Sequence, residues 1–488
     1  MRLLFPAFAL LFALAWGHSL GGGFHFDDHS LFVDPILNSD GGWREVWRPL
    51  QTRPLTQFTF WLSGQISGRS APGGYHVWNL ILHVLNAALA WRVLRALQMP
   101  LQTQWIAVAL FALHPMQAEP VNYVFARSTL LMSALCLAAL WCWIEDRAWL
   151  AVVCFGAALL AKEECVTFPI LLVLCDHWQR RKVRWIPAGW MLALAIAAGL
   201  RAIVATASIP GAGSGFASPI TPLAYFKVQG SVIVLRYWRM LLVPWGFNVD
   251  PEVADPGWIL SIAVWTAIAV LAAYAWRQLA NGGFWFLGGL LLLIPSSSIF
   301  PAEDLAADRR MYLPLLAFAC LAATTVLARV PRAVPACLLM LLAVLSWQRT
   351  NVWGTEQALW QEAYERSPGK IRPRVQLARV STIDTARRLL SEAAEIQPQN
   401  PDIPNELGLN LLRNGNAGEA LGAFGRALAL DPTDAKTINN RGVALFQLGQ
   451  TVAARQDFER ALRVDPCLAD ARRNLALAGG RQGPESCH

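Results

Sequence analysis

Nine cysteines are scattered through 488 residues without one C-x-x-C pair, which removes the usual zinc and dithiol motifs and gives no disulfide framework. Seven of the nine lie within or beside apolar runs, where small buried thiols are expected. Charge is scarce too. Asp, Glu, Lys and Arg supply 15% of the chain against 55% hydrophobic residues and 22 Trp, too little to cover a soluble globule. The class is an integral membrane protein. The formal net charge of +8 divides into 24 Lys+Arg against 17 Asp+Glu in residues 1 to 350, and 17 against 16 in residues 351 to 488. The basic surplus therefore sits among apolar segments, as in cytoplasmic loops rich in Lys and Arg. It forms no face for nucleic acid.

A helix needs about 20 apolar residues to cross the hydrocarbon layer, because lipid offers backbone groups no hydrogen-bond partner. Such runs stand at about 3 to 20, 77 to 91, 103 to 118, 128 to 144, 148 to 161, 165 to 177, 185 to 206, 257 to 276, 283 to 299, 311 to 328 and 333 to 348. The first is read as a retained span, although Arg2 before an apolar stretch also fits a signal peptide. Residues 223 to 244 read as an interfacial helix or a twelfth span, since Lys227, Arg236 and Arg239 interrupt them. With the N-terminus inside, Arg92, Arg95, Arg180, Arg181, Lys182, Arg184, Arg277, Arg329 and Arg332 all fall on the cytoplasmic side. The loop 21 to 75, the other polar loops and everything after 350 are then exoplasmic.

Beyond Arg349 a period of 34 appears. Pro398, Pro432 and Pro466 keep it, as do Ala386, Ala420 and Ala454, then Ala393, Ala427 and Ala461, then Leu390, Phe424 and Phe458, with Gly408 and Gly442 in step. Small residues where two antiparallel helices cross, a large apolar residue in the second helix and a closing proline form the tetratricopeptide pattern. The organisation is thus a membrane domain over 1 to 350, a connector with a degenerate repeat helix over 351 to 366, and repeats over 367 to 488. The fold class is all-α, a polytopic bundle followed by an α-solenoid.

Polar residues collect on the expected exoplasmic side. Asp27 and Asp28 stand side by side in GGGFHFDDHSLF; the following loop carries Arg53; HVWNLILHVLN spaces His76 and His83 along one side of a helix. LHPMQAEPVNYVFARSTLL supplies His114, Glu119 and Arg127; AKEECVTFP supplies Lys162, Glu163 and Glu164; AEDLAADRRMYLP supplies Asp304, Asp308, Arg309, Arg310 and Tyr312. Each alone reads as an interfacial anchor or a structural pair. Together, ionisable groups at bilayer depth argue for a polar cavity, with cations for a phosphate and a carboxylate for proton removal. Arg201, inside a run, has no motif and reaches either the interface or a lipid phosphate.

These segments resemble the transmembrane and tetratricopeptide-repeat O-mannosyltransferases and their bacterial relatives in the GT-C superfamily. FHFDD resembles the family's F-x-F-D-D, RPLTQFTFWL its R-P-L-T stretch, YHVWNLILHVLN its H-x-x-N-x-x-x-H helix, and ALFALHPMQAEPV its H-P-x-x-x-E-x-V segment. FARSTLLM resembles its G-R-A-D-L-L, LLAKEECVTF its S-K-E, and ADRRMYLPLL its E-R-x-x-Y-L-P. Ala126, Ser128 and Thr129 depart from the G, A and D of the pattern, and Asp308 from its Glu; these bear on donor selectivity. The resemblance implies a GT-C-type bundle that moves a mannose-like sugar from a polyprenyl-phosphate carrier to Ser/Thr hydroxyls of exoplasmic protein, with inversion. It implies Asp27 or Asp28 as general base. Arg127, Lys162 and Arg309 would neutralise the leaving phosphate, with Glu119 and Glu163 orienting those cations or the sugar. Arg53, His76, His83, His114, Asp308 and Tyr312 belong to the same set as supporting residues.

Fixed cations can hold a phosphate without a metal, and the first-loop carboxylates are adjacent, not D-x-D, so no metal or cofactor is expected. The partners expected are the lipid-linked sugar, an acceptor protein on the repeats and membrane lipid, with no nucleic acid. An Arg-rich, Lys-poor composition points to a bacterial inner membrane with the site on the periplasmic side. A non-catalytic scaffold recruiting envelope proteins through the repeats, and an enzyme of the same superfamily acting on lipid or glycan, are the alternatives.

Overall fold

The computed structural model describes residues 4–34, 36–48, 51–207 and 218–480; Arg2, Cys487 and part of the long loop before residue 218 lie outside them. Among the described residues every regular element is helical. The chain divides into two units, residues 1–249 with 253–355, and residues 250–252 with 356–488.

The first unit contains α1 (Leu4–Trp16), α2 (Pro54–Ser67), α3 (Pro72–Ala96), α4 (Leu101–Leu113), α5 (Arg127–Ile144), α6 (Ala148–Ala161), α7 (Phe168–Trp178), α8 (Trp185–Ala207), α9 (Pro222–Ser231), α10 (Gly257–Arg277), α11 (Gly283–Leu293), α12 (Tyr312–Ala322) and α13 (Ala333–Val352). Each of the eleven apolar runs contains a helix. Six helical stretches are long and apolar enough to cross a membrane: Pro72–Ala96, Val124–Ile144, Trp185–Ala205, Gly257–Arg277, Asp308–Leu327 and Ala333–Val352. The protein is a multi-pass membrane protein. Five runs expected as full spans give shorter helices, Phe5–Gly21, Leu101–Leu113, Ala148–Ala161, Phe168–Trp178 and Gly283–Leu293. Proline opens α2, α3, α7 and α9 at their first turns, where its missing N–H costs nothing.

The 223–244 stretch is α9, then a π-helical segment Val232–Trp238, then a short turn Arg239–Leu242. Widened turns of this kind change which side chains point inward. Here Arg236 on the π segment reaches Asp308 at 2.7 Å. The core of the unit joins α3, α4, α5, α6 and α12 through Leu94, Phe111, Leu130, Trp143, Phe155 and Leu315, all buried. A smaller cluster of Leu31, Leu37, Val46, Phe60, Tyr75 and Val124 seats the first loop on the helices beneath it.

The second unit contains α14 (Glu356–Arg366), α15 (Ile371–Arg379), α16 (Ile383–Ile396), α17 (Asp402–Arg413), α18 (Ala417–Leu430), α19 (Ala435–Gln447), α20 (Thr451–Val464) and α21 (Ala469–Leu477). The 34-residue step has a direct steric cause. A Cβ at Gly408 would lie 2.5 Å from the Phe424 ring, and one at Gly442 would lie 2.6 Å from Phe458. Ala386, Ala420, Ala454, Ala393 and Ala461 are fully buried where the helices cross. The seven cysteines within or beside the apolar runs are free thiols, but Cys467 is disulfide-bonded, where the sequence offered no disulfide framework.

Candidate active site

The short segment Phe26–His29 presents its two carboxylates in different ways. Asp28 is fully buried, and its oxygens accept backbone N–H bonds from His25 at 3.0 Å, Val124 at 3.4 Å and Phe125 at 2.7 Å. Burial pushes the Asp28 carboxyl up to about 8, against the three N–H donors that favour its charged form. Asp27 is exposed, and its Oδ2 accepts a 2.8 Å bond from the Tyr123 hydroxyl. Asp28 thus clamps the first loop onto the 123–126 turn, and Asp27 is the carboxylate left facing outward. Phe26 holds a left-handed backbone at φ 50° to make this turn, a conformation rare outside Gly and common where function sets the geometry. His25, buried, donates from Nε2 to the Trp353 carbonyl at 2.7 Å; burial lowers it to about 4, so it is neutral.

Tyr123 donates to Asp27 and lies within the electrostatic reach of Arg309. Burial raises its phenol well above the ordinary value, Asp27 and Asp28 add to that, and the charge of Arg309 opposes it. Arg309 donates from its backbone N to Glu119 at 3.1 Å, pairs with the same carboxylate through Nη1, and reaches Asp304 at 3.2 Å through Nη2. Lys162 Nζ lies 2.9 Å from both Glu164 and Thr129. Burial lowers its ammonium, with Glu164 opposing and the positive charges of Arg53 and Arg309 adding to the fall. Arg53, which begins α2 at φ 50°, grips Glu163 with two bonds of 3.1 and 2.6 Å. Burial alone would push Glu163 up, but the Arg53 charge holds it down, to about 2.

A cavity of about 200 Å³ opens beside this network, with Arg53, Glu163, Glu164 and Arg310 on its polar side and Ile203, Pro295 and Phe300 on its apolar side. Ile203 and Phe300 are 37% and 41% exposed, so the apolar wall reaches the outside of the bundle. A small recess lined by Thr129, Glu164, Arg309 and Arg310 adjoins it. Arg310, which the sequence places in the polar set without a role of its own, donates to neutral acceptors: the Tyr225 hydroxyl at 3.0 Å and the carbonyls of Leu305 and Asp304. The structure therefore brings Lys162, Arg309, Glu119, Glu163 and Arg53 near one another, and Tyr123, Glu164 and Arg310 stand with them. The signal for all three lay within segments already singled out, but nothing local ranked them.

Other expected residues are placed elsewhere. Arg127 departs from its expected role at a phosphate. It is fully buried, donates to Asn79 Oδ1, Ser63 Oγ and the carbonyls of Thr59 and Tyr75, and lies over the Phe60 ring at 4.6 Å, so it braces α2, α3 and α5 from inside. His83 and Tyr312 bond each other at 2.8 Å in the core, and His76 holds the Gly23 carbonyl at 3.1 Å. His114 accepts the Met116 N–H at 3.2 Å, ordering the turn before Glu119. Asp308 pairs with Arg236, and Arg201 donates to the Gln51 carbonyl. None of these lines the cavity.

Tetratricopeptide-repeat family models match residues 407–478 and 378–435. A Caenorhabditis elegans protein O-mannosyl-transferase is 26% identical over 404 residues, covering 74% of this chain and 57% of that protein. The chain is a sequence relative of the protein O-mannosyl-transferases. A second such transferase, from Drosophila melanogaster, is 27% identical over 319 residues, covering 54% of this chain and 33% of its own length. The chain therefore spans about half or less of these two transferases. The solved structure of ArnT from Cupriavidus metallidurans bound to undecaprenyl phosphate superposes with a TM-score of 0.35 and 12% identity, over 94% of this chain and 79% of that one.

Proposed function

We propose that the chain is a GT-C-type protein O-glycosyltransferase. It moves a mannose-like sugar from a polyprenyl-phosphate carrier to Ser/Thr hydroxyls, at a site on the periplasmic side of a bacterial inner membrane. The observation that carries this reading is the run from an outward-facing Asp27 through its Tyr123 bond to the charge of Arg309, which lines the recess beside the Arg53–Arg310 cavity. Transfer needs a base on one side of the anomeric carbon and stabilised negative charge on the other. Asp27 takes the proton of the acceptor hydroxyl as its oxygen attacks, the sugar C–O bond to phosphate breaks, and the carrier leaves as its phosphate. Attack opposite the leaving group inverts the anomeric centre.

Lys162, Arg309 and Arg310 are the cations assigned to that phosphate. Arg310 is the readiest, because it has only neutral acceptors to exchange for phosphate oxygens. Glu119, Glu163 and Glu164 keep the neighbouring cations in place. Fixed cations supply the charge a divalent ion would otherwise bring, so the transfer is metal-independent. The apolar wall at Ile203 and Phe300 suits a carrier arriving sideways from lipid. The repeats present the acceptor protein, and a disulfide at Cys467 fits an oxidising compartment for them.

The test is transfer of labelled sugar from a polyprenyl-phosphate donor to a Ser/Thr peptide by the purified chain, with and without chelator. Transfer that is chelator-resistant and absent in Asp27→Asn is expected. Full activity of Asp27→Asn would reject Asp27 as the base, and donor hydrolysis or transfer to lipid without protein labelling would reject the acceptor class.

A further inference from the structure

Far from the aspartates, the other end of α3 carries a second cavity, of about 550 Å³, lined by Trp91, Arg92, Arg95, Gln98, Trp141 and Glu145. The Arg92 guanidinium lies 5.1 Å from the centre of the Trp141 ring, and neither it nor Arg95 is hydrogen-bonded or ion-paired through its side chain among the described residues. Two arginines and one glutamate leave one positive charge unbalanced. Trp91 also lines an apolar groove of about 290 Å³, whose other walls include Phe5, Phe8, Phe12, Val84, Ala88 and Trp105.

A basic cavity and an apolar groove therefore meet at one side chain. Phe5 and Val84 are 65% and 48% exposed, so the groove faces outward. From Val84 to Arg95 is eleven helical steps, about 16 Å at the α-helical rise. That is close to half the thickness of a bilayer's hydrocarbon core, about 15 Å for one leaflet. Charge, length and polarity order match a single lipid molecule lying along α3: phosphate at the Arg92–Arg95 end, chain beside Phe8 and Phe12.

We propose that this end of α3 holds one anionic phospholipid, its phosphodiester on Arg92 and Arg95, its headgroup hydroxyls donating to Glu145, and one acyl chain in the groove beside Phe8. A monoanionic phosphodiester neutralises the unbalanced charge. The tryptophans flank the boundary between headgroup and chain, where amphipathic rings settle. The site lies at the opposite end of α3 from Tyr75 and His76 and takes no part in the transfer reaction.

The full chain in detergent is titrated with equal amounts of dioleoyl phosphatidylglycerol and dioleoyl phosphatidylcholine, and retained lipid is read by native mass spectrometry. One phosphatidylglycerol, retained at least tenfold in preference, is expected. Arg92→Gln with Arg95→Gln removes that preference. Ala88→Trp, which fills the groove and leaves both arginines, weakens phosphatidylglycerol at least tenfold, and glycerol phosphate competes only in large excess. Equal retention of the two lipids by the unaltered chain overturns the proposal, as does a preference that survives the double substitution. Ala88→Trp binding as tightly as the unaltered chain, with glycerol phosphate competing at equal concentration, overturns it by reducing the site to a phosphate pocket. Thermal unfolding of each variant separates lost binding from lost folding.

Discussion

Replacing Asp27 by Asn keeps the shape and the Tyr123 contact but removes the proton acceptor. Asp27 is exposed and accepts one side-chain bond, at 2.8 Å, so the fold loses little. General-base catalysis contributes roughly 10²- to 10⁴-fold. At 1.36 kcal/mol per decade that is about 3 to 5 kcal/mol of transition-state stabilisation. Asp28→Ala does the reverse. It strips an acceptor from three backbone N–H groups in a buried turn, each costing about 1 to 3 kcal/mol when left unpaired, and the first loop detaches. The assay is single-turnover transfer from a labelled polyprenyl-phosphate sugar, run beside donor binding and thermal unfolding. Asp27→Asn is expected to lose at least a hundredfold in rate with donor affinity and unfolding midpoint near those of the unaltered chain, and Asp28→Ala to lose its midpoint. An Asp27→Asn enzyme within tenfold of full rate, alongside a folded and inactive Asp28→Asn, refutes the division of labour between the two carboxylates.

Arg310→Gln removes a charged donor from the cavity wall and is expected to weaken the donor roughly 10- to 100-fold, the worth of one charge-assisted bond, seen as a raised donor KM with acceptor KM unchanged. The raised pKa of Asp28 makes its folded form hold a proton that the unfolded chain has released, so its contribution to stability is present at low pH and is lost as pH rises towards about 8. Burial lowers His25 to about 4, and this works the opposite way only below about 6.5, where unfolded histidine titrates. Between about pH 6.5 and 8 the Asp28 effect therefore stands out, and unfolding midpoints across that window are expected to fall in the unaltered chain and to flatten in Asp28→Asn. In the repeats, Gly442→Ala drives a methyl group into the Phe458 ring and is expected to destabilise by about 1 to 3 kcal/mol, read from denaturant unfolding of the full chain. Gly418→Ala, with open space around its Cβ position, is the control and leaves the midpoint unchanged or higher.

What the amino-acid order determined by itself was whatever depends on near neighbours along the chain. Apolar length placed a helix in every run from α1 to α13, and the 34-residue step placed the repeat helices, because Gly408 and Phe424 meet within one helical hairpin. The motif segments also held the charged residues that line the cavity, Arg53, Glu163, Glu164 and Arg310. Tertiary structure alone decided which of them face it. Asp27 and Asp28 are adjacent and chemically identical, yet Asp28 is spent on backbone groups nearly a hundred residues away. Arg127 reads as a cation for phosphate until Ser63, Tyr75 and Asn79 close around it, and Arg310 reads as a neighbour of Arg309 until Tyr225 and the cavity wall define it. Burial and the identity of a polar partner are settled by distant segments, so they leave no periodic mark in the chain, whereas helix and repeat are written at the spacing of a few residues.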